Sequence, residues 1–285
     1  MHVLIVGCGY VGLELGRRLT PAHRVTGVRR SGEGLDAVEA AGLEAVHADA
    51  TRPGDLYSLP SADVVVYAAS AGRNGSARET YVEGLRTVID HVGGRRDSPD
   101  RLLYTSSTGV YGDRGGAWVD ESAALDPATD REETLVEAER VAREHGAPSI
   151  DRTVVRFGGI YGPGRSPVER YRTGPVSPGY ANFVHRDDAA GALAFLLRED
   201  VARDAIRNVV DGAPVERPAL AEWIAERTDG DPPSVVPLSE RDLPADRRER
   251  LAANKRVAND ALLGDEYEFV YPSVREGIRE GLADG

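Results

Sequence analysis

Six residues near the start of the chain carry its most specific chemical pattern. Gly7-Cys8-Gly9-Tyr10-Val11-Gly12 spaces three glycines as G-x-G-x-x-G, directly after the apolar run His2–Val6. Val11, Leu15 and Leu19 then recur at helical spacing until Pro21. In a strand-to-helix turn the first glycine permits the tight reversal and the second lets the backbone approach a pyrophosphate. The third brings helix and strand together, while the helix N-terminus presents amides and positive dipole. About 20 residues further on, an acidic side chain would bind a ribose 2′-hydroxyl. The chain instead has Val25-Thr26-Gly27-Val28-Arg29-Arg30-Ser31. Planar guanidiniums at Arg29 and Arg30 suit a 2′-phosphate, so NADP(H) is expected in preference to NAD(H). The alternative is that both arginines simply face solvent. Asp49, after a third strand, is placed for an adenine amino group.

Other reactive residue types form no comparable pattern. His2, His23, His47, His91, His145 and His185 are scattered, without an i, i+4 pair, so no metal site is expected. One cysteine, Cys8, excludes an intramolecular disulfide and a cysteine-based zinc cage, and it reads as packing. Asp187-Asp188 reads as a helix cap with a polar neighbour. The absence of a G-x-S-x-G elbow argues against a hydrolase.

The elements that must hold the glycine loop alternate. Strands are expected at His2–Val6, Arg24–Val28, Leu43–His47, Asp63–Ala69, Arg101–Thr105 and Ser149–Phe157. Between them, Tyr81, Val82, Leu85, Val88, Ile89 and Val92 lie on one helical face, and Glu132–Glu144 reads as another helix. Alternation with short links implies parallel strands joined by right-handed crossovers, an α/β doubly wound parallel sheet of Rossmann type. After residue 160 the texture changes to a Gly-, Pro- and Arg-rich stretch. A helix is expected from about Asp187, capped by its carboxylate, to Arg198, then a strand at Asn208–Asp211 and a helix at Pro218–Arg227. Residues 231–250 read as a charged, Pro-rich surface excursion. The expected organisation is a dinucleotide-binding core over 1–160, with later elements returning to it, and a smaller substrate region over 161–285.

The 285 residues are 41% apolar, enough for one large domain or two sharing a core. Lys plus Arg is 35 against 47 Asp plus Glu, a net charge of −12. That sign repels phosphate backbones and anionic lipid, so neither nucleic acid nor membrane is an expected partner. No apolar run reaches the roughly 18 residues of a membrane helix. The opening MHVLIVGCGYVG lacks a signal-peptide pattern, so a soluble cytoplasmic protein is expected. Lys255 is the only lysine in the chain. Abundant carboxylates with almost no lysine suggest a halophilic protein, although a GC-rich genome leaves the same bias toward arginine.

Read end to end, the chain resembles the extended short-chain dehydrogenase/reductases of the NAD-dependent epimerase/dehydratase type. The similarity rests on the glycine loop, DVVVYAAS (63–70), LYTSSTGVYG (103–112), RFGGIYGPG (156–164), NFVHRDDAA (182–190) and NKRVAND (254–260). The resemblance implies that Gly7, Gly9, Tyr10, Val11, Gly12, Ala68, Ala69, Ser106 and Phe157 line the cofactor. It also implies that Ser107 hydrogen-bonds the reacting hydroxyl or carbonyl. The family's proton carrier is a tyrosine whose pKa is lowered by a lysine four residues later. That Tyr-x-x-x-Lys pair is absent: Arg131 and Leu135 stand at the corresponding places, which marks an atypical branch. Tyr161 is a substitute candidate, and Arg165, Arg170, Arg172 and His185 are candidates for gripping substrate.

Two functions follow. One is an NADP(H)-dependent oxidoreductase or epimerase acting on a sugar-nucleotide or small polar carbonyl, with a non-standard proton donor. The other is a non-catalytic dinucleotide-binding sensor that lost the proton relay. The resemblance also implies a homodimer through the helices near 78–92 and 131–145. The acid–base alternation of EAERVARE leaves a wet and a dry interface equally open.

Overall fold

The alternation of short β-branched runs with amphipathic stretches is realised as a parallel sheet in the computed structural model, which describes residues 1–72 and 75–283. In chain order the elements are β1 (His2–Val6), α1 (Tyr10–Leu19), β2 (Arg24–Arg29), α2 (Gly32–Ala40), β3 (Glu44–His47), β4 (Val64–Tyr67) and α3 (Gly84–Gly93). They continue as β5 (Arg101–Ser107), β6 (Trp118–Val119), α4 (Asp130–Glu144), β7 (Asp151–Phe157), β8 (Gly159–Tyr161), α5 (Val168–Thr173), β9 (Tyr180–Ala181) and β10 (Phe183–His185). The last are α6 (Arg186–Arg198), β11 (Ile206–Val209), β12 (Val215–Glu216), α7 (Arg217–Arg227), α8 (Ala245–Ala252), β13 (Arg256–Val257), α9 (Asp260–Gly264) and α10 (Val274–Ala283).

Seven strands form the main sheet in the order β11-β7-β5-β4-β1-β2-β3. The chain therefore winds outward from β1 to β3, then returns to place β4 on the other side of β1. Both β1 pairings are parallel, with Val6 opposite Val28 on one side and Tyr67 on the other. Their shared C-terminal end is the topological switch point, where sheets of this kind bind ligands. The residues of the inner strands β1, β4, β5 and β7 are mostly buried, as expected for a parallel sheet covered on both faces, while edge strand β3 has no fully buried residue.

By packing, the chain divides into two units. The first comprises Met1–Ser107, Glu133–Arg156 and Ala189–Arg207, which includes most of α6 and the start of β11. Its main hydrophobic cluster joins Leu4, Val65 and Tyr67 of the sheet to Leu85, Val88 and Ile89 of α3. This is the helical face expected from the spacing of those residues, here preceded by a wider, π-type turn at Glu79–Glu83. Buried arginines cross-link the unit. Arg152 donates to the carbonyls of Ala142 (2.9 Å), Gly146 (3.0 Å) and Ala147 (2.9 Å), which ties a cation to the C-terminal end of α4. Arg156 grips Glu139 at 2.9 and 2.6 Å, and the same carboxylate accepts the Ser106 hydroxyl at 2.6 Å.

The second unit comprises Thr108–Glu132, Phe157–Asp188 and the chain from Asn208 onward. Its core gathers Tyr161, Tyr171, Leu220, Ile224, Val274 and Ile278. Asp188, fully buried, is its main polar clasp: it accepts from the amides of Val270 (2.8 Å) and Tyr271 (2.9 Å), and the Tyr267 hydroxyl lies 3.2 Å away. The expected Asp187 cap is corrected: Arg186 holds the Asp187 carboxylate at 2.8 Å, and Nδ1 of His185 accepts the Asp187 amide at 3.2 Å. The expected loop after residue 160 contains α5, and the excursion over 231–250 contains α8.

Glu139→Gln leaves the Arg156 guanidinium buried without its counter-charge. It is expected to lower the unfolding free energy by about 3–5 kcal/mol. Urea denaturation of the two proteins measures the difference.

Candidate functional site: a glycine cradle and a polar cluster

In the first unit the chain leaves β1 through a turn that only a residue without a side chain can make. Gly7 has φ of +84°, and a Cβ on it would lie 2.3 Å from the Cα of Ala69. Backbone therefore packs on backbone, and Ala68 and Ala69 at the end of β4 form the wall beside the loop. The Gly7 and Cys8 amides both donate to the Val28 carbonyl at 3.2 Å, which fixes the turn against β2. Gly9 precedes α1 without any side-chain cap, and α1 has no acidic residue in its first turn. Half-buried Tyr10 and Val11 open the helix, while Gly12 is buried, where a Cβ would meet Ile5 at 3.0 Å. An uncapped helix start behind a glycine turn fits a pyrophosphate.

Arg29 closes this cradle from β2. A Cβ on Gly9 would sit 2.7 Å from its Nη1, and one on Gly34 would sit 2.4 Å from its Nε. The guanidinium thus lies between the glycine loop and the start of α2, where the Ser31 hydroxyl caps the Gly34 amide at 3.3 Å. Arg30 is exposed and acts electrostatically on Asp49. Burial pushes the Asp49 carboxyl up, but the amide and hydroxyl of Thr51, at 3.0 and 2.8 Å, hold it below the ordinary carboxylate value. Cys8 is fully buried, and burial pushes its thiol up to about 12, so it packs and does not react. Ser106 points into the Glu139–Arg156 pair, while Ser107, the last residue of β5, is half-buried. Leu135, at the place of the family's lysine, is buried.

The second unit holds the remaining candidates. Phe157 is buried at the end of β7. Tyr161 is only 3% exposed, edge-on to Phe183 and His185, with its hydroxyl 3.4 Å from the Ser273 carbonyl. Burial drives its phenol far above the ordinary value. Tyr161 is therefore a core residue, and its candidacy as proton carrier is corrected. His185 is buried against Tyr271, with ring centroids 4.0 Å apart, and burial lowers its pKa, so it anchors α6 as a neutral ring and does not grip an anion. Arg165 and Arg172 are exposed, the latter paired with Glu169 at 2.8 Å. Tyr111 is buried, with its hydroxyl 2.8 Å from Asn208 Oδ1.

Two buried ionisable groups in this unit were not among the sequence candidates. Asp211 is 5% exposed; its Oδ1 accepts the Ala213 amide at 3.1 Å, and its Oδ2 has no partner among the described residues. Burial pushes its carboxyl up to about 7, opposed by the Ala213 and Val274 amides and reinforced by Asp188 and Glu276. Lys255 is 4% exposed, with Nζ 3.0 Å from the Gly112 carbonyl. Its being the chain's only lysine was the available signal.

With this geometry in place, comparison with known proteins is specific. Residues 7–200 match the NAD(P)H-binding family. Protein YeeZ of Escherichia coli (strain K12) is 28% identical over 281 residues, covering 95% of this chain and 97% of YeeZ. A conserved protein of unknown function from Silicibacter pomeroyi superposes with a TM-score of 0.85 at 28% identity, over 100% of this chain and 99% of that one. A Methylobacillus flagellatus protein, provisionally named an NAD-dependent epimerase/dehydratase, gives 0.79 at 31% identity, over 99% and 98%. The chain belongs to the NAD(P)H-binding family, within the extended short-chain dehydrogenase/reductases of epimerase/dehydratase type.

Two outcomes are expected. Gly7→Ala strains a left-handed position by about 1–2 kcal/mol and drives a methyl into backbone, so its melting temperature falls sharply. Gly9→Ala meets only the tip of Arg29; it melts near wild type but binds NADPH about tenfold more weakly by fluorescence titration. Asp211 supplies a pH test. A carboxyl whose folded pKa is about 7, raised from 3.8, contributes stability that is fully present below its unfolded value. That contribution is lost as pH rises to about 7, so Asp211→Asn flattens the decline in urea midpoint between about pH 4 and pH 7.

Proposed function

We propose that this protein is an NADP(H)-dependent oxidoreductase or epimerase that acts on a sugar-nucleotide or another small polar carbonyl. The observation that carries the reading is Arg29, whose guanidinium lies against both Gly9 and Gly34 at the end of β2. A fork of N–H donors beside the capped start of α2 suits a 2′-phosphate, and no acidic side chain ends that strand to favour a 2′-hydroxyl. A dinucleotide held in this cradle supplies or accepts hydride. The chain's contribution is positional: Gly7 and Gly9 admit the pyrophosphate to the uncapped end of α1, Arg29 selects the ribose substituent, and the Ser107 hydroxyl polarises the substrate oxygen. The acidic, nearly lysine-free composition supports a cytoplasmic, salt-adapted protein. No helix among the described residues is long and apolar enough to cross a membrane.

A second reading, a dinucleotide-holding sensor, is favoured by Arg131 and the buried Leu135 at the places of the family's tyrosine and lysine. Calorimetric titration with NADPH and NADH in molar KCl, followed by turnover with a carbonyl panel, separates the possibilities. Tight NADPH and weak NADH binding is expected. Arg29→Ala is expected to lose about 10- to 100-fold in NADPH affinity, corresponding to one charged hydrogen-bonded contact, with NADH unchanged. Turnover that Ser107→Ala abolishes supports the enzyme; NADPH binding without turnover supports the sensor. Binding of neither nucleotide by the folded protein overturns both.

A further inference from the structure

We propose that the second unit binds a small aliphatic diammonium compound in a cavity at the end of the β6–β13 pair; this does not depend on the dinucleotide reading above. β6 and β13 run parallel, with Arg256 opposite Trp118 and Val257 opposite Val119, so both segments leave the pair at the same end. The Ala258 amide adds one more bond, to the Val119 carbonyl at 2.9 Å. Beyond it, Asp120 from one segment and Asn259 and Asp260 from the other border a cavity of about 430 Å³, a size usual for small-molecule sites. Gly212, with φ of +73°, lines the same space, and a Cβ on it would lie 3.0 Å from Nδ2 of Asn259.

The polar side chains around this cavity call for a donor that carries positive charge. Asp120 is steadied through its Oδ1 by the amide (2.9 Å) and hydroxyl (2.6 Å) of Ser122, and its carboxylate has no cationic partner among the described residues. Asp260, in the first turn of α9, has none either. Asn259 is only 5% exposed; it precedes α9 without capping it, and its Nδ2 donates to the Val210 carbonyl at 2.9 Å. Its Oδ1 has no partner among the described residues, and the little surface that Asn259 keeps borders the cavity. A buried acceptor left open in this way needs a donor from outside the chain. None of the lining residues is basic, so an anion would find no counter-charge there.

The apolar wall suits the body of the same ligand. Trp118 is 53% exposed and lines the cavity beside Val119 and Ala258. Its indole already accepts one cation: the Arg256 guanidinium lies 5.2 Å from the ring centroid, tethered through Nε to the Gly116 carbonyl at 2.8 Å. A short methylene chain along the indole, with an ammonium for each carboxylate and a proton for Asn259 Oδ1, meets every one of these groups. An acidic surface attracts cations everywhere, but only here do two unpaired carboxylates share an enclosed space with an exposed indole and an open buried acceptor.

The test uses the whole protein, 1,4-diaminobutane, and butylamine and 1,4-butanediol as matched controls, at the lowest KCl concentration that keeps it folded by circular dichroism. Calorimetry is expected to show one diamine site with Kd on the order of 10⁻⁴ M, butylamine about tenfold weaker and no binding of the diol. Asp120→Asn and Asp260→Asn are each expected to weaken diamine binding by about three- to tenfold. Asp36→Asn, the same change at an exposed position of α2, is expected to leave it unchanged. The chain has two tryptophans, and Trp223 belongs to the unit's buried core. Diamine is therefore expected to shift the emission of wild type, and a folded Trp118→Phe to lose that shift. Affinity that is insensitive to both cavity aspartates, or that falls equally with Asp36→Asn, shows general attraction to an acidic surface and overturns the proposal. Equal affinity for butylamine overturns it as well, as does a folded wild type that binds no diamine.

Discussion

Everything that qualifies this chain to hold a dinucleotide depends on one close approach, the backbone of Gly7 against the backbone of Ala69. β1 is central in the sheet, with β2 and β4 on either side, so its exit has room for neither a side chain nor a gradual turn. The left-handed Gly7 reverses the chain within that gap, and the Val28 carbonyl captures the next amides. α1 can then begin at Tyr10 with its end open, because the preceding residue has no side chain to cap it. A dinucleotide's phosphate would complete what the fold leaves unsatisfied there. Arg29 can reach the loop only because Gly9 and Gly34 present no Cβ in its path.

The buried cations divide into two kinds. Arg101 donates to Leu196, Val201 and Thr153; Arg152 serves a row of carbonyls; Arg156 forms three bonds to one carboxylate. Each uses the five-donor fork of guanidinium to repay its desolvation with several acceptors. Lys255 differs: among the described residues its Nζ has the Gly112 carbonyl at 3.0 Å as its acceptor, and burial lowers its pKa to about 8.

Local patterns were legible in the sequence, and distant partnerships were not. The glycine loop, the β-branched strands and the apolar face of α3 are written within a dozen residues, and the structure forms them within a few residues of where the spacing puts them. By contrast, the Lys255–Gly112 contact spans 143 residues, and the Asp188–Tyr271 clasp spans 83. The alternation of β-branched and helical runs does not say that Ser106 would turn toward Glu139, 33 residues away, because both residues are also ordinary surface types. The burial of His185 is of the same kind, since it comes from Tyr161 and Tyr271, which only the fold brings together.

The loss of the usual tyrosine and lysine does not by itself argue for a silent fold. Leu135 shows that the family's lysine site has been filled with apolar volume, a change that would suit a protein that only holds a nucleotide. Holding a nucleotide and supplying a proton are separable requirements: a glycine cradle serves the first, and nothing about it dictates which residue serves the second.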